Sequence, residues 1–181
     1  MSNGTSVKKR NGSIEPLNLE KIHNMCDQAC EGLAGVSASQ VEIQSGIQFY
    51  DGITTAEIQE ILIRSASDLI TLDNPNYQYV ASRLLLFSVR KSLYGRLREL
   101  PTLEAHIVDC VTQEVYDPDI YNKYSLEEIR KADGFLDHGR DFLFTYAGLR
   151  QVVDKYLVQD RSVGGVYAVS YTHLSLPTTS P

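Results

Sequence analysis

Four cations, Lys8, Lys9, Arg10 and Lys21, stand close in the chain to the dipeptide Asn11-Gly12 and to Asn18. Asn11-Gly12 reaches positive φ cheaply, so it predicts a two-residue turn between short strands at 7–10 and 13–17. Asn18 predicts a helix start. The first-turn amides of such a helix lack carbonyl partners and its dipole is positive there, so full positive charges nearby stabilise an anion, and a phosphate suits that geometry. The same spacing also fits a solvated basic hairpin, and spacing alone leaves both readings open.

The elements that must carry these groups are legible as helical stripes and caps. Leu19, Ile22, Met25, Cys26, Ala29 and Leu33 predict a first helix over 19–33. Ser37-Ala38-Ser39-Gln40 has the form of a capping box and predicts a second helix to about Tyr50, broken by Asp51-Gly52. Thr54-Thr55-Ala56-Glu57 repeats that form and opens a third helix, with Ile58, Ile61, Leu62, Ser65, Leu69 and Ile70 along one side. Asp73-Asn74-Pro75 introduces a long fourth helix from Tyr77 to about Glu99, on which Val80, Leu84, Phe87 and Lys91 share a stripe. Lys91 can lay its stem on the core while its ammonium reaches water or a phosphate.

Beyond Leu100-Pro101-Thr102 the pattern predicts helix at 106–115 and a short helix capped by Ser125-Leu126-Glu127-Glu128 and ending at Lys131. It then predicts a loop at 135–141, helix at 142–157, and a hairpin at 158–167 around Gly164-Gly165. No repeats or low-complexity tracts stand out.

The 181 residues carry a formal charge of −6 and a 43% apolar share, the composition of a globular core that does not adhere broadly to DNA or anionic lipid. The three cysteines, Cys26, Cys30 and Cys110, are odd in number and widely set, which suits free thiols in a reducing cytosol. Cys26 and Cys30 share a helix face, so core packing or a metal or redox pair are the two readings. No apolar run is long enough to span a membrane and no secretory pattern opens the chain, so the cytoplasm is the expected compartment.

The string Lys9-Arg10-Asn11-Gly12, followed by Glu15-Pro16-Leu17-Asn18-Leu19-Glu20-Lys21-Ile22, resembles the opening of an ATP-cone, the allosteric nucleotide-binding module of ribonucleotide reductases. Further segments carry the likeness to about residue 167: Ile47-Gln48-Phe49-Tyr50-Asp51-Gly52-Ile53, Asp73 with Pro75, Tyr77-Gln78-Tyr79, Ala81 and Arg83-Leu84, then Tyr156-Leu157-Val158-Gln159 and Arg161. They resemble the N-terminal region of the large subunit of an aerobic class I ribonucleoside-diphosphate reductase. The resemblance implies a mainly α fold: a β-hairpin and four helices forming the cone at 6–95, then a smaller, incomplete helical part of the reductase domain at 101–167.

In that family the cone binds ATP as activator and dATP as inhibitor, with Mg²⁺ shared through the triphosphate. The implied nucleotide contacts are Lys9, Arg10, Glu15, Pro16, Leu17, Asn18, Leu19, Glu20, Lys21, Thr55 and Lys91. Lys9, Lys21 and Lys91 are expected to converge on the triphosphate, while Pro16, Leu17 and Leu19 shape the wall. Glu15 has two roles open to it, a hydrogen bond to the base or sugar, or a structural pairing with a neighbouring lysine. Histidines near the base and sugar of some relatives correspond here to Gln59 and Ser88, which leaves the discrimination between ATP and dATP unassigned. His23, His106, His138 and His173 are expected at structural or surface positions, with His23 placed nearest the pocket.

The family's partners are a small radical-bearing subunit and further copies of the large subunit, with no direct contact to nucleic acid or membrane. Its thiyl-forming cysteine and redox-active pair have no counterpart in Cys26, Cys30 or Cys110, so the chain is expected to be an N-terminal fragment with no catalytic residue and no metal held by protein side chains. From about Ala168 to Pro181 it leaves the family pattern and resembles translated adaptor sequence, with a divergent native tail as the other reading. Two further functions compete: the nucleotide-sensing cone of a transcriptional repressor, which expects a Cys-rich zinc ribbon absent here, and a helical interaction module with no ligand.

Overall fold

The computed structural model describes residues 5–46, 48–95, 100–160 and 165–167, with backbone alone at 158–160 and 165–167. The chain divides into two compact units, one holding residues 1–88 and 144–151, the other 89–143 and 152–181. The expected tail at 168–181 lies outside the described residues.

The first unit begins with the expected hairpin. Strand β1 (Ser6–Lys8) pairs antiparallel with β2 (Ile14–Pro16), Val7 opposite Glu15. The turn is not the two-residue one predicted from Asn11-Gly12. Lys9 N–H donates to the Ser13 carbonyl (2.8 Å) and Gly12 N–H to the Lys9 carbonyl (2.9 Å), so Arg10, Asn11 and Gly12 form the loop. Only Gly12 takes a positive φ, +85°. Asn11 Oδ1 instead accepts the Ser13 amide (3.1 Å) and hydroxyl (2.8 Å), a local bond that holds the tip without a left-handed asparagine.

A third strand, β3 (Ile53–Thr54), runs parallel to β1 with Val7 beside Ile53 and Lys8 beside Thr54, giving the sheet order β2-β1-β3. Two residues are too few for periodicity to reveal, and Asp51-Gly52 had suggested only a helix break. Val7 and Ile53 bury the inner face of this small sheet.

Helix α1 (Leu19–Cys30) is capped as predicted, Asn18 Oδ1 accepting the Lys21 amide at 3.0 Å. It stops three residues before Leu33, and Gly32 follows at φ +72°. Arg83 Nη1 donates to the Ala29 carbonyl (3.1 Å) and the Glu31 carbonyl (2.6 Å), supplying charged donors where the helix leaves carbonyls unpaired.

Helix α2 (Ala38–Gly46) departs from its expected cap and length. Tyr77, almost fully buried, accepts the Ser37 amide on its hydroxyl at 3.0 Å and donates that hydroxyl to Gln40 Oε1. The Gln40 side chain is thus engaged by a tyrosine from another helix. The segment after Gly46 turns rather than continuing to Tyr50, with Gln48 N–H on the Ser45 carbonyl at 2.9 Å.

Helix α3 (Thr55–Asp68) has the predicted capping box: Thr54 Oγ1 accepts the Glu57 amide at 3.1 Å, and Glu57 Oε2 accepts the Thr54 amide at 2.8 Å. Its buried side includes Ile58, Leu62, Ile63, Ser65 and Ala66, whereas Ile70 is exposed. Helix α4 (Tyr77–Tyr94) follows, shorter than the predicted reach to Glu99, with Gly95 at φ +68° and 96–99 outside the described residues. Val80, Ala81 and Leu84 from α4 join Cys26, Val41 and Leu62 among the fully buried side chains.

The second unit contains α5 (Leu103–Thr112), the unpredicted short helix α6 (Ile120–Lys123) and α7 (Leu126–Asp133). The capping box at Ser125 and Glu128 forms as expected. Asp133 Oδ1 accepts the Leu103 amide at 2.7 Å and Glu104 takes two bonds from Arg130, at 2.7 and 3.1 Å, tying α5 to α7. His106 is buried in a structural role, its ring edge-on to Tyr94 and to Tyr116 at 6.0 Å centroid separations. Arg90 forms a buried ion pair with Asp141 at 2.6 Å and lies over the Phe142 ring at 5.2 Å.

The helix predicted at 142–157 is divided differently: a 3₁₀ turn covers Arg140–Leu143 and α8 covers Tyr146–Lys155. Thr145 Oγ1 accepts the Gly148 amide at 3.3 Å, starting α8 later than the apolar stripe suggested. The predicted terminal pair is present as β4 (Val158–Asp160) antiparallel to β5 (Gly165–Tyr167).

Candidate functional site

Parallel pairing of β1 and β3 sends their C-terminal ends the same way. Lys8 and Thr54 are partners in the ladder, so the next residues, Lys9 and Thr55, leave the sheet at one edge. One leads into the basic loop and the other is the first residue of α3.

An open depression of about 620 Å³ lies where β2 leads into α1, lined by Glu15, Pro16, Leu17, Asn18, Leu19 and Lys21. Lys9 Nζ sits 3.1 Å from Glu15 Oε2, which ties its ammonium to the rim and realises the structural pairing open to Glu15. Both side chains keep substantial exposure, so this pair is worth little as a stabiliser and the lysine can exchange partners. Arg10 and Glu20 are exposed on the neighbouring loop and first turn of α1. Lys91 lies exposed in the last turn of α4, in the second unit.

The strands reach this arrangement through a set of bonds that sequence reading did not single out. Asp51 Oδ1 accepts the Ser6 amide at 2.8 Å and the Ser6 hydroxyl at 2.7 Å, and Gly52 N–H returns a bond to the Ser6 carbonyl at 3.0 Å. The Ser6 hydroxyl and amide hold the Asp51 carboxyl below its usual range. Tyr50 donates its hydroxyl to Glu57 Oε1 at 2.8 Å, while Thr54 donates amide and hydroxyl to Glu57 Oε2. The bonds from Thr54 foremost, with the one from Tyr50, lower the Glu57 carboxyl, and the bond to Glu57 raises the Tyr50 phenol.

Other candidate groups have structural partners. His23 Nδ1 is 2.7 Å from Glu42 Oε1, joining α1 to α2. Gln59 is buried and donates its amide to the Leu84 carbonyl at 2.9 Å. Cys26 is fully buried, and burial pushes its thiol up to about 12, with Cys30 raised to about 11 for the same reason. Neutral thiols are weak nucleophiles, and the burial of Cys26 suits the packing reading of this pair. Among the described residues no group of three or more His, Cys, Asp or Glu is placed to hold a metal ion, and no helix is long and apolar enough to cross a membrane. A more enclosed cavity of about 610 Å³ lies in the second unit among Leu103, Ile107, Ile120, Tyr124, Ile129 and Ala132, but its wall is mostly apolar and holds none of the expected nucleotide contacts.

Comparison with known proteins bears on most of the chain. Residues 5–92 match the ATP cone domain. Over 167 residues the chain is 48% identical to the ribonucleoside-diphosphate reductase 1 subunit alpha of Escherichia coli (strain K12), covering 92% of this chain and 22% of that protein. It is 47% identical to the subunit alpha of Haemophilus influenzae with the same coverage, and 38% identical to that of Enterobacteria phage T4, covering 90% of the chain and 21% of the phage protein. The chain thus spans about a fifth of the length of these relatives. Residues 5–92 are an ATP-cone domain, and 92% of the chain is homologous to the N-terminal region of ribonucleoside-diphosphate reductase alpha subunits.

Proposed function

We propose that this chain is the regulatory N-terminal part of a ribonucleoside-diphosphate reductase large subunit, binding ATP as activator and dATP as inhibitor of ribonucleotide reduction. The observation that carries the reading is the ATP-cone match over 5–92, within which six of the expected contact residues line one depression where β2 leads into α1. Names of the relatives favour a reductase over a transcriptional repressor.

The residues suit a nucleoside triphosphate. Lys9 and Lys21 supply charge, the first turns of α1 and α3 supply amides, and Pro16, Leu17 and Leu19 supply an apolar wall. Family resemblance adds Arg10, Glu20, Thr55 and Lys91. Mg²⁺ enters with the phosphates, screening their charge, while the protein's lysines orient them. The resemblance assigns reduction to a thiyl-forming cysteine and a redox-active pair to which Cys26, Cys30 and Cys110 do not correspond. Association with the small radical-bearing subunit and with other large subunits, in the cytoplasm, completes the proposed setting.

Titration calorimetry of the 181-residue chain with Mg-ATP and Mg-dATP tests this reading. Saturable binding by either, lost on Lys9→Glu and on Lys91→Glu, is the expected result. Heat no greater than dilution for both nucleotides overturns it.

A further inference from the structure

The β1–β3 ladder has only two residue pairs, Val7 with Ile53 and Lys8 with Thr54. So short a pairing fixes its own register poorly, and a slip of one residue displaces a strand by about 3.3 Å and reverses its faces. That displacement exceeds what a hydrogen bond to a phosphate tolerates. Something beyond the ladder must hold the lysine-bearing loop against the start of α3.

The bonds at Asp51 do this. One carboxylate oxygen receives both donors of Ser6, the first residue of β1, and Gly52 closes the ring by donating back to the Ser6 carbonyl. On either side of Asp51 and Gly52, Tyr50 and Thr54 both bond Glu57 in the first turn of α3. The segment 50–54 is therefore held to β1 at Asp51 and Gly52 and to α3 at Tyr50 and Thr54.

We infer that Asp51 is a positioning residue for the nucleotide: by accepting both donors of Ser6 it sets the register in which Lys9 and Thr55 leave the sheet together toward one phosphate group. This deepens the proposed function and rests on it. Asp51 acts through Lys9 and touches no ligand. Its charge has the wrong sign for direct help, since a carboxylate near a triphosphate weakens binding. Positioning and charge therefore predict opposite effects of removing it.

The test is calorimetry with Mg-ATP on the full chain, with thermal melting of each variant as a check on folding. Asp51→Ala lowers ATP affinity by about tenfold, and Asp51→Asn, which keeps an acceptor oxygen for Ser6, stays within about twofold of the unaltered chain. In a Lys9→Ala background the further loss from Asp51→Ala shrinks, because the group it positions is gone. Ser6→Ala, a milder change that removes one donor, gives an intermediate loss should Asp51→Ala fail to fold. Tighter binding by both Asp51 variants, equal weakening by both, or a lowered melting temperature with unchanged affinity overturns the inference while leaving the proposed function standing. Absence of ATP binding by the unaltered chain removes both.

Discussion

Tyr77 Oη accepts the backbone amide of Ser37 at 3.0 Å and donates to the Gln40 side chain, so a residue on α4 caps α2 from across the first unit. Tyr77 is almost fully buried, and its removal leaves a helix-start amide and a side-chain carbonyl without this partner. Tyr77→Phe is expected to cost about 1–3 kcal/mol in urea unfolding, the desolvation penalty of an unpaired polar group. Gln40→Leu in the same background recovers part of it.

Arg90 and Asp141 form a buried ion pair in the second unit. Asp141→Ala strands a guanidinium and is expected to destabilise the chain by roughly 3–5 kcal/mol, whereas Arg90→Met with Asp141→Leu restores most of the loss. Denaturant midpoints of the two variants, compared on the same day and buffer, decide it.

Burial raises the Cys26 thiol from the ordinary 9.0 to about 12. In the folded chain it stays protonated at pH values where an unfolded thiol ionises, so stability is full below 9.0 and declines as pH rises from there through about 12. Iodoacetamide at pH 8 is expected to label Cys26 only after denaturation. Rapid labelling of the native chain, located by peptide mapping, contradicts this.

Glu57 is held below its ordinary 4.5 by Thr54 and Tyr50, and Asp51 below 3.8 by Ser6. A lowered carboxyl contributes stability that is full above the ordinary value and lost as pH falls through the folded one. The β1–β3–α3 junction is therefore expected to loosen on acidification below 4.5. Protection factors of the Ser6 and Thr54 amides should fall first there, and Glu57→Gln should weaken the dependence at Thr54.

Lys21 lines the depression where β2 leads into α1, whereas Lys8 is exposed on β1 and does not. Lys21→Ala is expected to lower ATP affinity about tenfold, and Lys8→Ala by less than about threefold, as a general charge effect screened by salt. Equal losses in 0.5 M salt, roughly a 4 Å screening length, place both lysines on the same footing and remove Lys21 from the site.

Local chemistry was what the sequence displayed best. Asn18, Thr54 and Ser125 all cap as their spacing suggests, because a cap is settled within one turn of chain. Long-range partners were hidden. Gln40 looked like half of a capping box until a tyrosine 37 residues away engaged it. Strand β3 offered too few residues to show alternation, and Asp51 looked like a helix breaker because Ser6, 45 residues earlier, is what gives it a role. Residues 15–19 and 21 could be read together because the depression they line is walled by one short stretch of chain. That Lys9 and Thr55 follow paired residues could not, because it depends on a parallel crossover that only the fold supplies.

That crossover also sets an order of events during synthesis. The N-terminal ribbon emerges from the ribosome first, yet a lone two-stranded hairpin is marginal in water, and its third strand arrives only with Thr54. Closing a loop of some 45 residues makes this a late, slow contact compared with the helices between. A nascent chain is thus born with its lysine loop untethered, and acquires a settled loop only after two complete helices have passed through.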